Sequence, residues 1–132
     1  MNKIELPAYE NIPDVGLYLD QVTKYVNTYL NKDYALTANM ISNYVKLKIV
    51  PKGHKKTYSR EHIAYFLLIA YFKIVLSMEQ INKLFNFYLA DHSIEELYNM
   101  FNDAKKDEKV LSSLYQNILS KQDIDAMILS LV

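Results

Sequence analysis

TANMISNYVKLKIVPKGHKKTYSREHIAYFLLIAYF, residues 37–72, changes character twice. It opens with apolar residues at helical spacing, crosses a basic stretch holding Pro51 and Gly53, and closes in an apolar run. The hydroxyl of Thr37 can accept from the free amides at a helix N-terminus. In the helix that follows, Met40, Ile41, Tyr44 and Val45 share one side, while Asn39, Ser42, Asn43 and Lys46 face elsewhere. Pro51 disfavours helical geometry in the residue before it, so this helix ends soon after Leu47. Val50-Pro51-Lys52-Gly53 suits a type I turn, with Pro second and Gly fourth. Ile49-Val50 and Thr57-Tyr58 flank that turn and are expected to pair as a short two-stranded wing. Ser59 then caps a helix over REHIAYFLLIAYFKIVL, residues 60–76. That helix is apolar nearly all round, which marks it as the central core helix.

Upstream, Asp14 follows Pro13 and can cap a first helix reaching about Leu30. Val15, Leu19, Val22, Val26 and Tyr29 would form its apolar stripe. Downstream, Ser77 with Gln80 and Ser93 with Glu96 read as capping boxes for two more helices. The pattern stays helical from there to Val132, with a break open near Asp107 or Asp123. The expected fold class is all-α: a core over 14–90 that carries a two-stranded wing, and additional C-terminal helices over 93–132.

The chain has 132 residues, of which 51% are hydrophobic, and only two Gly and three Pro. That composition suits one globular domain, residues 1–132, and not a disordered chain. With no Cys there is no disulfide framework, thiolate nucleophile or cysteine zinc site. The start carries Glu5, Glu10 and Asp14 and no apolar stretch, so no secretory leader is expected. Ile63 to Phe72, broken by Lys73, is too short for a bilayer. The expected location is the cytoplasm, with no membrane partner.

Charge is segregated although the net charge is zero. Residues 34–73 hold six Lys and one Arg against Glu61 alone, and no acid lies between Asp33 and Glu61. The flanking regions are net acidic. A segment so basic within a neutral chain is suited to an anionic partner.

Duplex DNA is the partner that fits the pattern, read by the 37–48 helix and the 51–60 basic wing. A helix in the major groove needs short polar side chains that reach base edges, and Thr37, Asn39, Ser42 and Asn43 supply them. Phosphates need cations, and Lys46, Lys48, Lys52, Lys55, Lys56 and Arg60 supply those, with His54 and Tyr58 as further donors.

These residues also resemble a known family. Residues 40–84, MISNYVKLKIVPKGHKKTYSREHIAYFLLIAYFKIVLSMEQINKL, look like the winged helix-turn-helix domain of MerR-type transcription regulators. Tyr44 falls on the second of that family's Tyr pair, Ile49-Val50-Pro51 on its hydrophobic-Pro step, and Tyr58-Ser59 on the end of its wing. Ser77, Glu79 and Ile81 fall on its Ser-capped helix. Lys56 stands where the family has a wing Arg that contacts phosphate, and Lys48 where it usually has Gly. Across most of its length the chain is similar to a bacterial family, the domain of unknown function 1836 group, through LYLDQV, TANMISNYVK and KKTYSREHIAYFLLI. The resemblance implies a DNA-binding transcription regulator. A helical adaptor that keeps the fold and binds another protein is the alternative.

Other features point to no chemistry. His54, His62 and His92 match no metal spacing, and no metal or cofactor is expected. Glu95/Glu96 and Asp107/Glu108 read as helix-start and solvated residues, not a general acid/base pair. There is no P-loop, GxGxxG or nucleophile elbow, so no enzyme is expected. Val110, Leu111, Leu114, Tyr115 and Ile118, then Ile124, Met127, Ile128 and Leu131, form apolar stripes. The resemblance implies a homodimer paired through these C-terminal helices.

Overall fold

The computed structural model describes residues 5–74 and 76–106. Among them the chain is mostly helical, as the periodicity requires. The helices are α1 (Leu19–Asn27), α2 (Ala38–Lys46), α3 (Arg60–Phe72), α4 (Met78–Tyr88) and α5 (Ile94–Lys106). Three N-termini follow the capping expectations. The Met40 amide donates to Thr37 Oγ1 at 3.1 Å. Ser77 and Gln80 exchange two bonds, Gln80 N–H to Ser77 Oγ at 3.1 Å and Ser77 N–H to Gln80 Oε1 at 2.9 Å. Ser93 and Glu96 form the same box before α5.

α3 is the core helix. Ile63, Ala64, Phe66, Leu67, Leu68, Ile69 and Phe72 are fully out of solvent, and the helix packs on α5 and α1 while α1 packs on α2. Each such large apolar side chain contributes about 1.5–3 kcal/mol by leaving water. Phe72 anchors the far end, with ring centroids 4.7 Å from Phe101 and 6.1 Å from Phe85. The helix stops at Phe72, short of the expected Leu76, and the Lys73 ammonium at its C-cap donates to the Tyr44 hydroxyl at 3.2 Å. That contact joins the end of α3 to α2.

The first helix is shorter than expected and is not capped by Asp14. α1 begins after Tyr18, whose amide donates to Gln21 Oε1 at 2.9 Å. Val22 and Val26 are buried on it as expected, but Val15 is 80% exposed and outside the stripe. Before α1 the backbone is committed elsewhere. Gly16 has φ +76, a left-handed conformation that glycine adopts without steric cost. Leu17 then exchanges two backbone bonds with Tyr58, at 2.9 and 2.8 Å.

Residues 6–16 form a strap with one 3-10 turn at Tyr9–Asn11. Leu6, Tyr9 and Ile12 are buried. α5 clasps the strap: the Tyr98 hydroxyl donates to the Pro7 carbonyl at 2.6 Å and the Asn102 amide to the same oxygen at 3.3 Å. Asn102 is buried, and this bond answers its need for a partner. The expected pairing surface at Leu114, Ile118, Met127 and Leu131 lies outside the described residues.

Candidate nucleic-acid interface

α2 turns a polar face outward because Ile41 and Tyr44 bury the other. Asn39, Ser42, Asn43 and Lys46 stand three and four residues apart and line one shallow concavity with Met40. Asn39, Asn43 and Lys46 are exposed, and Ser42 is half-buried. Thr37 is exposed at the start of the helix but does not line that concavity, and its oxygen accepts the α2 cap bond.

The helix ends in a Schellman motif. The Ile49 amide donates to the Tyr44 carbonyl at 3.0 Å and the Lys48 amide to the Val45 carbonyl at 3.0 Å. This geometry requires a left-handed residue after the C-cap, and Lys48 supplies it with φ 61. It also decides the fate of Ile49 and Val50. Both amides point to Tyr44 and both side chains are buried, so neither residue pairs with Thr57-Tyr58.

The reversal expected at 50–53 is therefore found later. His54 and Thr57 bond each other through both amides, at 3.0 and 2.9 Å, around Lys55 and Lys56 with φ 49 and 66. Two successive positive φ values are those of a type I′ turn, which usually carries Asn-Gly. Gly53 is present for space rather than torsion, since a Cβ there would lie 2.4 Å from the Thr57 carbonyl oxygen. On its other side Tyr58 pairs with Leu17, so the strand-like contacts are two isolated bridges.

His62 holds this segment to α3. The Ser59 amide can only donate, so His62 Nδ1 accepts it, at 3.1 Å. The ring proton then sits on Nε2, which donates to the Lys52 carbonyl at 3.1 Å. Tyr58 packs edge-on against His62 and Phe66, with centroids 5.6 and 5.7 Å away. Tyr58 is thus a half-buried anchor of the loop.

Lys46, Lys48, Lys52, Lys55 and Lys56 are exposed together with His54. No ion pair among the described residues involves any of these lysines. Arg60 behaves differently from the expectation. Its Nε donates to the Ile12 carbonyl at 2.8 Å and an Nη to the Glu10 carbonyl at 3.2 Å, and the guanidinium lies 5.7 Å from the Tyr9 ring centre. The Arg60 amide donates to Asp14 Oδ1 at 3.1 Å, so Asp14 caps α3 instead of the first helix. Arg60 fastens the strap. Sequence reasoning missed both this role and that of His62; a Ser-x-x-His spacing at 59–62 was the one local signal.

Among the described residues, five helices with α3 at their core, one polar helix face and a lysine-bearing turn beside it define a small helical domain with an exposed cationic surface. The chain belongs to the DUF1836 family, a domain of unknown function, whose model matches residues 7–101. Neither a curated protein nor a solved structure matches the chain. No group of three or more His, Asp or Glu that could hold a metal occurs among the described residues. Nor is any described helix long and apolar enough to cross a membrane.

Proposed function

We propose that the chain is a DNA-binding transcription regulator of MerR-like winged helix-turn-helix type. α2 reads base edges in the major groove, and residues 48–56 act as the wing on the phosphates. The observation that carries this reading is the single exposed face of α2, where Asn39, Ser42, Asn43 and Lys46 lie together beside four more lysines. Asn pairs bidentately with adenine, and a lysine set with no acid among it suits the backbone. Lys46, Lys48, Lys52, Lys55 and Lys56 carry the phosphate contacts, and Arg60 acts only by holding the strap. Two copies paired through the C-terminal extension expected over 93–132 would place two such faces about one helical turn apart.

Fluorescence anisotropy with a duplex at several salt concentrations tests the reading. With about four of the five lysines on phosphates at once, the slope of log K against log salt is near −3.6. Lys56→Ala then weakens all sequences alike, whereas Asn43→Ala removes about 1–3 kcal/mol of discrimination. No binding to any duplex at low salt overturns the proposal in favour of the protein-binding adaptor.

A further inference from the structure

A groove of about 760 Å³ runs beside the polar face of α2, between the 48–52 loop and α4. This is within the roughly 300–1,000 Å³ usual for small-molecule sites. Its walls are Val45, Tyr58, Tyr65, Phe85 and Leu89. Lys46, Lys48 and Lys52 line it where α2 runs into the loop, and no acid lines it among the described residues. Three cations beside aromatic and aliphatic walls, without a carboxylate to neutralise them, select a ligand with an anionic head and an apolar body.

The far end fixes the ligand further. Tyr65 and Leu89 also wall a second hollow of about 240 Å³, which holds Glu61 and Glu95. Burial, and then Glu61, push the Tyr65 hydroxyl above its ordinary value, so it stays a neutral partition. Charge therefore changes sign along the axis from the lysines to Tyr65. A second negative group at that wall would stand one side chain away from a hollow that holds Glu61 and Glu95. The groove thus accepts a monoanion and disfavours a long dianion.

We infer that this groove is a binding site for an amphipathic monoanion, such as an aryl or acyl carboxylate or sulfonate. Its head lies at Lys46, Lys48 and Lys52, and its body between Tyr58, Tyr65, Phe85 and Leu89. The site stands independently of the DNA reading. Its regulatory consequence rests on that reading, because the same three lysines would face phosphate and an occupied groove would oppose duplex binding.

The probe is 1-anilinonaphthalene-8-sulfonate, titrated into the full chain and compared with N-phenyl-1-naphthylamine, the same ring system without the anion. The expected result is one equivalent of the sulfonate bound, roughly tenfold more tightly than the neutral probe. The triple variant Lys46→Ala, Lys48→Ala, Lys52→Ala should abolish that preference. Asn86→Trp, on an exposed position of the groove wall, should block both probes while leaving the thermal unfolding midpoint unchanged. Equal affinity for the two probes, several equivalents bound, or sulfonate binding that survives Asn86→Trp overturns the proposal. No DNA enters this titration, so its failure is separate from a failure of duplex binding. Duplex affinity measured with and without saturating sulfonate then reads the coupling: a loss of several-fold supports it, and no change overturns the regulatory consequence alone.

Discussion

The strap at 6–16 and the loop at 48–59 are both irregular, yet they are held in opposite ways. The strap is buried at Leu6, Tyr9 and Ile12, and its carbonyls accept from Arg60, Tyr98 and Asn102. Its backbone is relaxed apart from the single glycine at its end. The loop has three lysines at positive φ, 61, 49 and 66, where L-residues are disfavoured by roughly 1–2 kcal/mol each. Irregular chain inside the molecule is satisfied by long-range side-chain donors. Irregular chain at the surface tolerates strain and displays charge. Strain of this kind is maintained where the surroundings over-determine it, and here the Schellman bonds and the Leu17–Tyr58 bridge do so.

Alkali should separate the two regions most. Burial first, then Glu61, pushes Tyr9 up to about 12 from 10.0, and burial pushes Tyr98 higher still. A folded-state value above the unfolded one means that the contribution is fully present below pH 10. It is lost as pH rises through 12. Circular dichroism across that range should show the fold failing; a chain equally stable at both ends would break the comparison. Arg60→Ala comes next, removing two carbonyl partners and the Tyr9 contact, for an expected loss of about 2–3 kcal/mol in chemical denaturation.

In the loop the sign reverses. Replacing Lys55-Lys56 by Asn-Gly gives the turn the residues it favours and should stabilise the fold by about 1–2 kcal/mol. It should also weaken duplex binding, by removing two cations. Lys48→Gly should act alike but less, about 1 kcal/mol, since one left-handed residue is relieved. Stability and affinity moving together in either variant would show that the strain has nothing to do with display.

The helices were legible because their signals are local. Thr37, Ser77 and Ser93 each lie three residues from the partner that completes the cap, and the apolar run of α3 needs no partner to be read as core. The strap carries no periodicity, and its donors Tyr98 and Asn102 are 91 and 95 residues away from Pro7. At 50–53 a Pro and a Gly suggested a turn that the structure places at 54–57. The deciding facts were the Schellman end at Lys48, where glycine would have been the readable sign, and the close approach of Gly53 to Thr57. Of the candidate interface, the α2 face and the five lysines were readable from spacing and charge. The engagement of Arg60 and Tyr58 was not, because their partners lie on the strap, on Leu17 and deep in α3. The groove was illegible for the same reason, being assembled from α2, the loop and α4.

The strap also orders events in time. Its bonds to Arg60, Tyr98 and Asn102 span 46 to 95 residues, whereas the caps of α2, α4 and α5 span three. Closing so long a chain segment is entropically costly until the intervening helices have shortened the path. The expected order is therefore helices first around α3, with the strap laid across them near the end of folding. Its contacts are then absent from the transition state, so Tyr98→Phe should speed unfolding while leaving the folding rate nearly unchanged in stopped-flow experiments. The strap is thereby expected to act as a late latch, with the Tyr98 bond to the Pro7 carbonyl slowing its release.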